Sequence, residues 1–200
     1  MKKIYRVIIH IIILVIQIVL LINYNKNYYI KKELKIEKKS IEYTLSKQIN
    51  PIIKEDEESK KNIINKEKII EYDMILEIPK INLKKGIFKK NDKKNNIDKN
   101  VTILKQSSYP NKNGNIFLIA HSGTSKKSFF KRLNKLNKKD IAYLFYKEKK
   151  YKYEVSNIYE IEKDNNIILK TDNVNNLFLI TCSQNNKSNY LIVELKKTDD

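Results

Sequence analysis

Leu177-Phe178-Leu179-Ile180-Thr181-Cys182 is an unbroken apolar run that ends in the chain's only cysteine. So short and bulky a run, followed at once by Ser183-Gln184-Asn185-Asn186, predicts a strand buried on both faces. A strand of that kind needs a sheet around it and cover on either side. The thiol falls where a core strand meets a loop, rigid enough to hold a reactive group and open enough for a substrate to reach it. A second apolar strand is predicted over Asn115-Ile116-Phe117-Leu118-Ile119-Ala120, and it delivers His121-Ser122-Gly123. The other histidine, His10, lies inside an N-terminal apolar run, which leaves His121 as the one a domain outside a membrane can use.

The remaining pattern is of short strands. Ile75 to Ile81 alternates, turns at Pro79 and leads to Leu83 through Phe88. Asp92 to Asn100 reads as a polar loop, Val101 to Leu104 as a short extended piece, and Ser107 to Gly114 as loop and turn. After Gly123 the spacing of Phe129, Phe130, Leu133 and Leu136 predicts a helix with one apolar face. Strands are expected at Ile141–Tyr146, Lys152–Ile161, Ile167–Leu169 and Tyr190–Leu195, with turns at Lys149-Lys150 and Asn165-Asn166 and a loop from Asp172 to Asn176. Many short strands with little helix predict an all-β domain, a compact barrel or sandwich, over residues 71–200.

Ahead of that domain, Val7 to Ile22 is apolar except for His10 and Gln17. With its flanks it reaches the roughly 20 residues that a membrane-spanning helix needs. Asn23 to Tyr29 has no small-residue cleavage pattern, so residues 1–25 read as an uncleaved signal-anchor that meets lipid through residues 4–24. Residues 26–70 are dense in Lys, Glu, Ile and Asn. Ile30, Leu34, Ile41 and Leu45 keep a rough helical spacing until Pro51, which predicts a solvated helical stalk or linker. Charge does not set the orientation. Lys2, Lys3 and Arg6 precede the span, but Lys26, Lys31, Lys32, Lys35, Lys38 and Lys39 follow it.

The formal charge of +18 comes from lysines spread over the whole length. It accompanies few glycines, prolines and arginines and many Lys, Asn and Ile, the mark of an AT-rich coding bias. No nucleic-acid partner is expected from it. There is no internal repeat, no Gly-rich phosphate loop and no metal-ligand cluster, and one cysteine with one usable histidine does not make a structural zinc site. No cofactor or metal is expected.

A thiol becomes a good nucleophile as the thiolate, and its reference pKa of about 8.5 calls for a neighbouring positive group. A histidine can supply that and later protonate a leaving amine. Acyl transfer also needs a donor aimed at the oxyanion that develops on the attacked carbonyl. Cys182 as nucleophile and His121 as general acid/base therefore fit a cysteine acyl-transfer enzyme. On pattern alone, a buried structural cysteine and a merely hydrogen-bonded histidine fit as well.

The motifs from about Ile75 to Lys196 resemble the sortases, the membrane-anchored cysteine transpeptidases of Gram-positive bacteria. Phe178-Leu179-Ile180-Thr181-Cys182 is similar to their TLxTC strand, with Phe in place of the first Thr. Gly114 to Gly123 resembles their GN-hydrophobic-AH(S/R)G segment, Phe129-Phe130-Lys131-Arg132-Leu133 their FF-x-x-L helix, and Ile78-Pro79-Lys80-Ile81 their opening strand. The resemblance implies a closed eight-stranded β-barrel on the extracellular side of the cell membrane. It implies that Cys182 cleaves an LPXTG-like sorting signal of surface proteins through a thioacyl intermediate. The acceptor would be an amine of a cell-wall precursor or a pilin.

One departure stands out. The family carries an arginine at the start of the last strand, and matching Tyr190-Leu191-Ile192-Val193 to that strand puts Asn189 in its place. Asn189 is then a candidate oxyanion donor and Lys187 a candidate substitute charge, without an arginine's bidentate fork. Arg6 and Arg132 lie far away in sequence. The departure leaves two other readings open, a catalytically degenerate peptide-binding surface protein and a cysteine peptidase that only hydrolyses. No acidic third member can be picked from Asp140, Asp164 or Asp172, and no calcium-type cluster is visible.

Overall fold

The computed structural model describes residues 2–49, 69–125, 127–163 and 175–198. One helix, α1 (Lys2–Ile49), leads into eight strands: β1 (Met74–Ile78), β2 (Leu83–Ile87), β3 (Thr102–Ile103), β4 (Ile116–Ile119), β5 (Ile141–Tyr146), β6 (Lys149–Glu162), β7 (Leu177–Cys182) and β8 (Asn189–Thr198). They form one sheet in the order β2-β1-β5-β6-β8-β7-β4-β3, curled into a nearly closed barrel. Every neighbouring pair is antiparallel except β4 and β7. Where the two ends of the sheet approach, the buried Asn100 side chain donates to Gly86 O on β2 at 2.8 Å, and its Oδ1 accepts from Val101 N at 2.9 Å.

The alternation of strand residues divides the apolar side chains cleanly. Ile116, Leu118 and Ala120, Leu177 and Leu179, and Leu191, Val193 and Leu195 join the barrel interior with Met74, Leu76, Leu144 and Tyr153. Phe178, Ile180 and Ile192 point the other way and are covered with Phe117, Ile119, Tyr159, Ile161 and Tyr190. Hence β7 is buried on both faces, as its unbroken apolar run predicts. Phe117 and Phe178 stack across the parallel pair with centroids 5.2 Å apart.

Four local expectations differ from the structure. The Phe129–Leu136 stretch is not an α-helix but a succession of tight turns with a 3-10 turn at Leu133–Lys135. Its bonds run from i to i−3 (Lys131 N to Ser128 O, Leu133 N to Phe130 O, Leu136 N to Leu133 O), which still buries Phe130, Leu133 and Leu136. The hairpin turn falls at Lys147-Glu148, both at positive φ (47° and 63°), and Lys149-Lys150 already pair in β6. Two consecutive positive φ values are what a two-residue hairpin of matching twist requires. The last strand starts at Asn189 and continues to Thr198. Finally, the end of α1 is not fully solvated. Ile41 is buried with Tyr72, Ile75, Phe88 and Phe145, and Leu45 packs against them, because β1 and β5 turn Ile75 and Phe145 outward and these need cover. The predicted strand at Ile167–Leu169 and the turn at Asn165-Asn166 lie outside the described residues.

Toward its N-terminal end α1 is apolar on every side, with an 18-residue window of mean hydropathy 2.3 that is not buried anywhere in the molecule. It is long and apolar enough to cross a membrane.

Candidate active site

The parallel pair β4–β7 runs in register from Ile116 opposite Leu177 to Ile119 opposite Ile180. Ala120 N continues it by donating to Ile180 O at 3.2 Å, and Thr181 Oγ1 donates to Ala120 O at 2.7 Å. Two steps beyond Ile119 and Ile180, the same register sets His121 beside Cys182. Both belong to the outward-facing series, His121 after Phe117 and Ile119, Cys182 after Phe178 and Ile180. Parallel strands lie roughly 4.8 Å apart, so the geometry puts imidazole and thiol on one face at adjacent strand ends. The buried Ser122 locks the two ends together, donating from Oγ to Cys182 O at 2.6 Å.

His121 and Cys182 share a cleft of about 710 Å³ whose walls include Gly123, Arg132, Gln184 and Lys187. Cys182 is partly exposed and carries a free thiol. His121 is 44% exposed, and its Nε2 lies 3.3 Å from Asp98 Oδ1. No hydrogen bond joins His121 to Cys182 among the described residues. Asp98 comes from the polar β2–β3 loop and went unremarked in the sequence because nothing in such a loop marks one carboxylate over another. Of the acidic residues considered there, Asp140 accepts from Asn137 N in a turn, and Asp164 and Asp172 lie outside the described residues.

Asn189 is not brought to the cleft wall. The β7–β8 register pairs Cys182 with Tyr190, so Tyr190 shares the thiol's face and Asn189 falls on the opposite one. There Asn189 Nδ2 donates to Glu160 Oε2 at 3.2 Å, and Ser183 Oγ donates to Glu160 Oε1 at 2.6 Å. Lys187 does line the cleft, and so does Arg132, which stands fifty residues before Cys182 in the chain. No group of three or more His, Cys, Asp or Glu able to hold a metal ion occurs among the described residues.

A curled eight-stranded sheet with a cysteine and a histidine at the ends of its parallel strands defines a structural class, and comparison with known proteins narrows it to a family. The family model described as Sortase domain matches residues 76–197, and the chain belongs to the sortase family. Sortase D of Bacillus subtilis (strain 168) is 35% identical over 109 residues, 54% of this chain and 52% of that protein, so the chain matches about half the length of this curated relative. Among solved structures, a Clostridium perfringens sortase D5 transpeptidase is similar in fold, with a TM-score of 0.58 at 22% identity, covering 82% of this chain and 99% of that one. Sortase C1 of GBS Pilus Island 1 is similar with a TM-score of 0.52 at 26% identity, covering 64% of each chain.

Proposed function

We propose that this chain is a sortase-type cysteine transpeptidase in which Cys182 takes an acyl group from an LPXTG-like sorting signal and passes it to an amine. The observation that carries this reading is the β4–β7 register, which sets His121 beside Cys182 on one face of one cleft. Membership of the sortase family supports it. The Cys182 thiolate attacks the scissile carbonyl carbon and forms a tetrahedral oxyanion. Collapse breaks the C–N bond, and His121 gives its proton to the departing amine. An acceptor amine then attacks the thioester, His121 takes a proton from it, and Cys182 leaves as thiolate. Asp98 acts through His121, holding the imidazole in one orientation.

The acceptor is an amine of a cell-wall precursor or of a pilin. Residues 1–25 anchor the chain in the lipid, residues 26–70 form the connection, and residues 71–200 work on the extracellular side. The apolar character of α1 supports the anchor.

Transfer separates this reading from its rivals. A quenched sorting peptide incubated with the full chain in detergent is expected to give a joined product when triglycine or a lysine-containing peptide is added, and none with Cys182→Ala. Cleaved peptide in the same amount with or without amine would identify a hydrolase. Peptide affinity that survives Cys182→Ala with no turnover in the wild type would identify a binding module.

A further inference from the structure

Three cationic residues, Lys131, Arg132 and Lys187, line the cleft with Cys182, and no acidic residue does among the described residues. An oxyanion forming there meets positive charge, and several of the neutral donors around the thiol are already committed. Ser122 Oγ donates to Cys182 O, and Ser183 N donates to Asn189 O at 2.9 Å. Gln184 Nε2 donates to Ser122 O at 3.1 Å and to Lys131 O at 2.8 Å. On β8 the residue next to the thiol is Tyr190, and the Asn189 amide is turned to Glu160.

Resting on the acyl-transfer reading above, we propose that Arg132 is a catalytic residue of this site, the group that receives the negative charge as Cys182 is acylated. Its segment is tied to the ends of both site strands. Phe130 N donates to His121 O at 3.0 Å, and the Gln184 side chain grips Lys131 O on one side and accepts from Asn134 Nδ2 at 3.2 Å on the other. Arg132 is thus held at a set place relative to Cys182, which a side chain on an untethered loop would not be. Its guanidinium makes one bond among the described residues, a long one of 3.4 Å from Nη1 to Ile81 O. That contact engages one nitrogen of the guanidinium and leaves most of the five-donor fork for a ligand. The planar fork can hold a carbonyl oxygen and a neighbouring acceptor together, whereas Lys131 and Lys187 offer flexible point charges.

The chemistry balances without any further reagent. Arg132 N–H groups donate to the carbonyl oxygen as the thiolate adds and the C=O π pair moves onto that oxygen. The donation is released when the pair returns and the amine departs with the proton of His121.

The test uses the full chain in detergent with two reactions at Cys182. The first is single-turnover acylation by LPXTG-like peptides. Arg132→Ala is expected to slow it by about a hundredfold or more, in line with the loss of an oxyanion donor. Arg132→Lys should recover part of the rate, as should guanidinium ion added to Arg132→Ala. Lys135→Ala, a cation of the same segment that does not line the cleft, serves as the control and should match the wild type. The second reaction compares alkylation by iodoacetate with alkylation by iodoacetamide, which needs no knowledge of the sorting motif. Arg132→Ala should lower the anionic-to-neutral rate ratio by roughly threefold or more, since a unit charge has been removed from the thiol's surroundings. Wild-type acylation in Arg132→Ala would overturn the inference, and so would a loss seen in Lys187→Ala instead. A wild type that alkylates normally but takes no acyl group from any peptide would overturn the acyl-transfer reading beneath it, and the role of Arg132 with it.

Discussion

Asp98 and His121 meet at 3.3 Å with both side chains well exposed, so solvent screens their attraction and the pair contributes little to stability. In the proposed reaction its value is orientation. Asp98→Asn keeps the shape and removes the charge, and it is expected to lower the rate of the acyl step by roughly tenfold, a modest share of what general acid–base catalysis supplies. KM and thermal stability should stay close to wild type. Steady-state kinetics with a melting curve check this, and an unchanged rate would reduce Asp98 to a surface contact. The placement of Cys182 and His121 at adjacent strand ends was legible in the sequence because each closes an apolar run. Asp98 and Arg132 were not. Their places beside the site are set by a polar loop and by turns whose paths carry no periodic signal. The position of Asn189 was legible only to within one residue, and in a strand one residue decides the face.

At the scale of elements, the barrel depends on what joins its two ends. Asn100 supplies both a donor to Gly86 O and an acceptor for Val101 N from one buried side chain. Gly86 is fitted to its place as well, for a Cβ there would come within 2.2–2.3 Å of the Tyr72 ring. Asn100→Ala leaves two buried backbone groups without partners, each worth about 1–3 kcal/mol. We expect a loss of about 2–4 kcal/mol in urea unfolding, and a loss below about 1 kcal/mol would show that water replaces the amide at no real cost. The strands themselves were largely legible, since alternation and unbroken apolar runs report directly which faces are covered. The Phe129–Leu136 segment shows the limit of that signal. Three- and four-residue spacing marks one buried face, and successive i to i−3 turns satisfy it as well as a helix does.

At the scale of the whole molecule, α1 links the apolar N-terminal segment to the barrel without a break in the helix. It docks through Ile41 and Leu45 and through an ion pair of Glu37 Oε1 with Lys85 Nζ at 2.5 Å, both side chains largely buried. The same Lys85 ammonium lies 4.2 Å from the centre of the Phe129 ring, on the segment that follows the site histidine. The helical character of residues 26–49 was legible from the spacing of Ile41 and Leu45, but the docking was not, because the surface they meet, Ile75 and Phe145, is assembled from two separate strands.

The proposed function turns on one chemical event, the capture of an acyl group by the thiol of Cys182. Intact-protein mass spectrometry of the full chain in detergent, mixed with a panel of LPXTG-like peptides and quenched in acid, observes that event directly. The expected result is a mass increase equal to the peptide up to its threonyl carbonyl, located on Cys182 by fragmentation, absent in Cys182→Ala and discharged by added amine. A folded protein with a reduced, alkylatable Cys182 that acquires no such mass from any peptide of the panel would contradict the assignment.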